Sequence, residues 1–581
     1  MARATLVVET DAEAVLLPRQ SRSCLGSRRS SANLEGHRTT DAPAEGRTPT
    51  NMDSPLLFVT VDKKPPSPDE LNPAKIKDTM SQDKDIDGVL LKARTAFAKG
   101  KSKPYEFRKQ QLKNIIRMCE VHRDEFYQAL KEDLNKSVFE SALTEIDITI
   151  NEAKNALSNL KSWMEPYSVR HPPKTILTLL DEAVIVNDPR GVVLIIGAWN
   201  YPVNLILMPL IGAIAAGNCV ILKPSENSPA TSKALTKIIP QYLDKDCYHV
   251  LFGGVKLTEN LLKRKFDYIF YTGSKRVGQL VRAAANEHLT PVTLEMGGKS
   301  PVFIDKTANI SIAARRILWG KCINSGQTCI APDYILCSKD IQSKLVEELK
   351  KGIEEFFGEK PLDSKDICSI INEVHFKRLC SLLKEGTIVV GGNIREKDRK
   401  IAPTVLTDVK LKESVMEDEI FGPILPIYNV ETVEDAVNFI NERDLPLACY
   451  VFSQDKKVQK QFITGTSSGG ICINDTVIYA IVNSLPFGGV GASGIGAYHG
   501  KYTFDTFTHK KSCVVKGYNA VLDRIWRIRY PPYTTKKHRL LAHFLGMRMT
   551  FCGPLFVNSI VFIFGLIVGQ LGILLYKRFS E

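Results

Sequence analysis

No CxxC pair and no repeated cysteine spacing occurs among the 13 cysteines of this 581-residue chain. That excludes a disulfide framework and the common zinc clusters, and the expectation is a reducing compartment with no bound metal. An uninterrupted apolar run near the start is also missing, because Glu9, Asp11 and Glu13 break it up. No signal peptide is therefore expected, and the N-x-S/T sequences at Asn135, Asn309 and Asn474 are read as unmodified. The formal net charge of +13 does not form a basic domain. It gathers at the two ends, in an Arg- and Ser-rich stretch before residue 50 and in a stretch from Arg524 to Arg548, while the middle is closer to neutral. No nucleic-acid partner is expected. The dinucleotide fingerprint is absent from its usual place. Gly489 to Gly494 spells GxGxxG, but it follows Pro486-Phe487 rather than a strand, so it is set aside.

What is present divides the chain. Residues 1–85 are rich in Ser, Pro, Thr, Arg and Asp without an apolar period, and are expected to be disordered. From 87 to 161 apolar residues recur at three and four, as in Leu112, Ile115, Ile116 and Cys119, which predicts packed amphipathic helices. Val192 to Ile196 then reads as a buried strand, Leu205 to Ala216 as a helix and Cys219 to Leu222 as a second strand. With a helix near 229–243 and strands near Tyr248 and Asp267, this predicts an open parallel sheet covered on both faces, whose carboxyl edge is the place for a ligand. A second α/β stretch runs from about 300 to 480. Residues 555–576 carry no charge, and as a helix they would be roughly 33 Å long, enough to span a bilayer. The basic excess upstream of that run places the preceding chain in the cytosol, and Gly565 with Gly569 offers a GxxxG face for helix pairing.

Several segments carry chemistry. Gly197-Ala198-Trp199-Asn200-Tyr201-Pro202 puts an amide donor at the sheet edge, where Asn200 either stabilises an oxyanion or serves the turn and the following helix. Lys223-Pro224-Ser225-Glu226 supplies a cation and a carboxylate suited to ribose hydroxyls; Glu226 favours NAD, Lys223 keeps NADP open, and a solvated loop is the alternative. In Tyr271-Thr272-Gly273-Ser274-Lys275-Arg276-Val277-Gly278 a strand passes through glycine into a helix whose free N–H groups suit a pyrophosphate. Glu295 ends an apolar strand beside Gly297-Gly298-Lys299, and partial burial there would raise its pKa toward that of a general base working near neutrality. Cys329, in Gly326-Gln327-Thr328-Cys329, stands out from the other cysteines by its polar and glycine neighbours, whereas Cys322 and Cys337 read as packing residues.

In this order the segments GAWNYP, KPSE, a strand-turn GS, ExGGK, GQxC, EIFGP and PFGG resemble the aldehyde dehydrogenase superfamily over roughly residues 90–512. Gly496 to Lys501 and Phe504 to His509 point to its class 3 branch, and the apolar tail makes the chain similar to the membrane-anchored fatty aldehyde dehydrogenases of that branch. The resemblance implies an NAD-dependent oxidation, with NADP open, of medium- to long-chain aldehydes to acids. Cys329 would be the nucleophile, Asn200 and the Cys329 N–H the oxyanion donors, and Glu295 the base that activates water. Trp199, Lys223, Glu226 and the Gly273–Gly278 turn would hold the cofactor, with Glu419 on the nicotinamide ribose and Phe421 packing nearby.

The implied fold is α/β with an open parallel-sheet cofactor domain over 86–294, a catalytic domain over 295–485 and a return to the first domain over 486–516. A small β bridging element near 166–188 and 503–516 would join two subunits into a homodimer. A basic linker over 517–554 and a transmembrane helix over 555–576 would hold the cytosolic catalytic portion at a membrane, with the endoplasmic reticulum favoured. Two other readings compete: a reductase of activated acids, which Glu295 opposes because hydrolysis would discard the thioester, and an inactive scaffold, which intact Cys329, Glu295 and Asn200 oppose.

Overall fold

Val192–Ile196 is apolar and buried at all positions, as a strand covered on both faces must be. In the computed structural model, which describes residues 73–168 and 181–546 apart from 517, 519, 521, 522, 525 and 526, together with 565, 566, 569, 570, 572 and 573, this strand is central to a six-stranded sheet. The order is Gly494–Ile495, Val292–Met296, Tyr268–Gly273, Val192–Ile196, Cys219–Lys223, Tyr248–Val250. All pairs are parallel except the first, in which Gly494 and Ile495 run antiparallel against Glu295 and Leu294. Asn204–Ala216 has no polar face and is buried from Leu205 onward, so it packs as a core helix rather than a surface one.

After Met296 the chain leaves this sheet, and after four connecting residues Pro301–Ile304 begins a second one. Its order is Thr387–Val390, Thr404–Thr407, Ile424–Asn429, Tyr334–Cys337, Pro301–Ile304, Ala448–Phe452, Gly470–Ile473, parallel except for the first pair. A third, antiparallel sheet pairs Glu182–Pro189 with Tyr167–Ser168 and, over eight residues, with Thr508–Val515. It unites the two segments singled out as bridging strands, while 169–180 lie outside the described residues.

One boundary is corrected. The helix that opens the described chain runs Pro73–Ala98 and so begins inside the stretch expected to be disordered up to 85. Its end is anchored by Ile86, Leu90, Ala93 and Ala96, all buried, and their spacing of four, three and three places them on one helical face. Among the described residues no helix is long and apolar enough to cross a membrane. The expected spanning run 555–576 and the extension before residue 73 lie, but for six scattered positions of the former, outside the described residues.

Candidate active site

The two parallel sheets direct their carboxyl edges at one cavity of about 890 Å³. Open α/β sheets bind ligands at this edge because strand ends and helix starts leave backbone groups unpaired there. Ala198, Trp199 and Asn200 line it just past Val192–Ile196, and Gly273 to Arg276 line it just past Tyr268–Gly273. Glu295 to Lys299, the crossing between the sheets, forms the floor. Cys329, Glu419 and Phe421 close the side belonging to the second sheet.

Cys329 follows a helix, Ile310–Cys322, that breaks into a tight turn with Asn324 and Ser325 in left-handed backbone. Gly326 continues at φ +74, and a Cβ there would lie 2.2 Å from the carbonyl oxygen of Gly422. Only glycine allows this approach, which brings the GQTC loop against the segment that carries Glu419 and Phe421. Gln327, wholly buried, fastens the loop: its amide nitrogen donates to Asn324 and Ser369 carbonyls at 3.1 Å each, and its oxygen accepts Ile371 N–H at 3.0 Å. Burial pushes the Cys329 thiol well up, with the Glu419 and Glu295 carboxylates adding to the effect; the N–H groups of Cys329 and Ile330 oppose it by stabilising the thiolate.

Glu295 lies in the strand Val292–Met296 at 3 % exposure, and neither carboxylate oxygen has a hydrogen-bond partner among the described residues. Desolvation pushes its pKa well above the carboxylate range. An unpartnered buried carboxyl is costly to keep, and such groups concentrate where proton transfer is needed. Asn200, 4 % exposed, donates from Nδ2 to the Gln327 carbonyl at 3.1 Å, which leaves its second amide N–H available in the cavity.

On the cofactor side, Ser274 caps the helix Lys275–Asn286, so the first-turn N–H groups of Lys275 and Arg276 face the cavity rim without intrahelical partners. Trp199 packs edge-on against Phe421 with centroids 5.3 Å apart, a flat apolar wall for a planar ring. Glu419 presses so close to the floor that a Cβ on Gly297 would meet its Oε2 at 2.0 Å. Burial, and the charge of Asp333, push the Glu419 carboxyl up to about 8. A nicotinamide dinucleotide fits these residues: a helix start for phosphate, an aromatic wall for the ring, and a buried carboxyl for a ribose hydroxyl.

The structure thus gathers Cys329, Glu295, Asn200, Trp199, Gly273, Ser274, Lys275, Arg276, Glu419 and Phe421 around one space. It places Lys223, Glu226, Val277 and Gly278 outside the lining: Lys223 and Glu226 form an ion pair with each other in the turn after Cys219–Lys223, and Val277 and Gly278 lie further along the helix. Four residues escaped sequence reasoning. His375 packs on Trp199 at 5.1 Å, and Arg378, on the same helix Glu373–Leu382, donates to the Ile420 carbonyl at 2.6 Å. Lys299 donates to Asp333 at 2.7 Å and to the carbonyls of Val415 and Asp418, while Asp333 accepts Ile420 N–H at 3.1 Å, so a buried ion pair fixes the Glu419 loop. Only Lys299, inside the motif, carried a signal in the sequence.

The family model described as the aldehyde dehydrogenase family matches residues 64–513. Aldehyde dehydrogenase family 3 member A2 of Mus musculus is 50% identical over 456 residues, 78% of this chain and 93% of that one. Member B1 of Homo sapiens is 48% identical over 453 residues, 78% of this chain and 96% of that one. Among solved structures, the substrate-bound state of Staphylococcus aureus AldH superposes with a TM-score of 0.76 at 42% identity, covering 79% of this chain and 99% of the other. A Mycobacterium tuberculosis aldehyde dehydrogenase complexed with NAD+ superposes at 0.68 with 26% identity, covering 75% and 92%. With the match spanning both sheets and the cavity between them, the chain belongs to the aldehyde dehydrogenase family, on its class 3 branch, and is an NAD(P)-linked aldehyde oxidoreductase.

Proposed function

We propose that this enzyme oxidises medium- to long-chain aldehydes to carboxylic acids through a thioester on Cys329. The observation that carries the reading is the unpartnered Glu295 carboxyl sharing a cavity with the Cys329 thiol. The Cys329 thiolate adds to the aldehyde carbon, and the new oxyanion is held by the free amide N–H of Asn200 and the Cys329 backbone N–H. Trp199, Gly273 to Arg276, Glu419 and Phe421 would hold an NAD(P), whose nicotinamide would supply the hydride acceptor. Glu295 takes a proton from water, whose oxygen attacks the thioester carbonyl; the acid leaves and the thiolate is restored. Glu226 and Lys223 remain the assigned partners of the adenosine ribose, with Val277 and Gly278 as backbone of the phosphate turn. NAD is the favoured cofactor.

Part of the cavity lining is apolar, made by Leu143, Ile148, Trp319, Val477, Ile478 and Ile481. Such a wall suits an alkyl chain, each buried CH₂ contributing about 0.8 kcal/mol. The uncharged run 555–576 supports a tail anchor that holds this mouth near a bilayer, with the catalytic portion in the cytosol and the endoplasmic reticulum as the favoured membrane. The antiparallel sheet of Glu182–Pro189 and Thr508–Val515 supports homodimer formation through its exposed edge. The test is kcat/KM of the full chain in detergent for aldehydes from acetaldehyde to hexadecanal. A rise of about tenfold or more across the series is expected; a flat series would overturn the chain-length reading.

A further inference from the structure

Three buried charges outside the motifs converge beneath the cavity. Lys136, Glu140 and Glu145 sit on the segment in which a short helix, Val138–Ser141, widens into a π-helical turn, Ala142–Ile146. Widened turns of this kind accompany functional sites, and here Leu143 and Thr144 reach the cavity itself. Lys136 Nζ and Glu145 Oε1 form an ion pair at 2.8 Å, with both side chains fully buried. A buried pair pays heavily in lost hydration and is often no more stabilising than apolar residues of the same volume. Its retention calls for a geometric reason.

The partners supply one. Lys136 Nζ donates to the backbone carbonyl of Asn200 at 3.3 Å, and Asn324 Nδ2 donates to the same oxygen at 2.8 Å. The other oxygen of Glu145 accepts the N–H groups of Val203 and Asn204 at 3.1 and 2.9 Å, where the core helix Asn204–Ala216 begins. One ion pair therefore pins the chain at Asn200 and again three to four residues later. Between these points the Tyr201 ring lies 4.4 Å from Lys136 Nζ, and its hydroxyl shares a 2.6 Å hydrogen bond with Thr328, the neighbour of Cys329. From the same segment Glu140 accepts the N–H of Asn324 at 2.5 Å and holds the GQTC loop. The arm carrying the amide and the arm carrying the thiol are tied to one support.

We propose that the buried Lys136–Glu145 pair is a positioning device for the Asn200 carboxamide, fixing the direction of its free N–H toward the oxyanion formed at Cys329. This rests on the assignment of Asn200 as oxyanion donor and Cys329 as nucleophile. Because the amide is planar and one hydrogen is committed to the Gln327 carbonyl, the direction of the other follows from where the backbone of Asn200 is held. Lys136 and Glu145 touch no reacting atom, so they set the rate of the chemical steps and leave cofactor binding alone.

Removing Lys136 by itself would strand a buried carboxylate, so the variant to read is the charge-neutral pair K136M/E145Q in the full chain. Its NADH affinity, measured by fluorescence, is expected to stay within about threefold of the parent, and its kcat with hexanal to fall on the order of 100-fold. A structural role would lower kcat equally in every background. A positioning role would not: added to Asn200→Ala, the pair is expected to lower kcat by no more than about threefold further. Three outcomes overturn the proposal: a kcat within about threefold of the parent, an equal loss in the Asn200→Ala background, or lost NADH binding, which would make the pair a folding element. Full activity of Asn200→Ala or Cys329→Ala alone would instead remove the underlying assignment, leaving nothing to position.

Discussion

Tyr450 donates its hydroxyl hydrogen to the carbonyl of Ile330 at 2.5 Å, joining the strand Ala448–Phe452 to the residue that follows Cys329. The same oxygen accepts the N–H of Val477, a β-branched residue held at φ +61 on the cavity wall. One buried phenol therefore sets both the thiol loop and a wall of the cavity. Left-handed backbone at a β-branched residue persists only where the surroundings over-determine it.

Tyr450→Phe should destabilise the fold by roughly 1–3 kcal/mol, because it strands a buried carbonyl and a half-buried N–H. Beyond that loss, KM for long aldehydes should rise while KM for NAD stays constant. Thermal unfolding and steady-state kinetics check the two parts separately.

Gly326→Ala should cost roughly 1–3 kcal/mol and lower kcat by more than that loss explains. The added Cβ meets a backbone oxygen, which no rotamer change can relieve, and the φ of +74 disfavours alanine as well. Relief requires the GQTC loop to withdraw from Gly422, and the thiol moves with it. Equal kcat in parent and variant would show that the two loops need not touch.

Glu295 gives a prediction about pH. Its pKa is raised, so the neutral acid is the form the fold accommodates; stability present at low pH is lost as pH rises through the raised value. Hydrolysis needs the opposite form, so kcat should climb as pH rises, and the raised Cys329 thiol gives kcat/KM the same sign. In Glu295→Gln the climb in kcat should disappear. Its Tm should gain on the parent progressively from pH 6 to pH 9, in a titration followed by calorimetry.

Glu419→Gln should raise KM for NAD by up to about tenfold and leave aldehyde affinity little changed, since a hydrogen bond between this buried carboxyl and a ribose hydroxyl contributes about 0.5–1.5 kcal/mol. Product-inhibition kinetics with NADH give an independent reading of the same contact. An effect confined to the aldehyde would place Glu419 on the wrong ligand.

The strands at Val192, Cys219 and Tyr268 were legible because a sheet buried on both faces leaves continuous apolar runs, and the observed bounds differ from the expected ones by only a few residues. His375 and Arg378, on the helix Glu373–Leu382, were not legible, whereas the cavity residues in strand ends and glycine turns, such as Glu295 and Cys329, were, because their local composition is distinctive. Their supports were not. Tyr450 sits in Ala-Cys-Tyr-Val-Phe, where an aromatic reads as core. Lys136, Glu140 and Glu145 were not singled out, since nothing in their spacing announces the π-turn Ala142–Ile146 or the burial of all three. Pro73–Ala98 escaped because its first half has no apolar period in the sequence; Ile86, Leu90, Ala93 and Ala96, near its end, are buried. Lys223 and Glu226, assigned separately, turned out to engage each other across a three-residue turn.

In the proposed mechanism the aldehyde carbon becomes covalently bound to Cys329 and waits there for a water activated by Glu295. It is tested most directly by mixing Glu295→Gln with NAD and hexadecanal, quenching in acid and mapping the peptides by mass spectrometry. A burst of NADH equal to the enzyme present and a palmitoyl group on the peptide that contains Cys329 are expected. A burst with no acyl group at Cys329, or an acyl group on another residue, would contradict the mechanism.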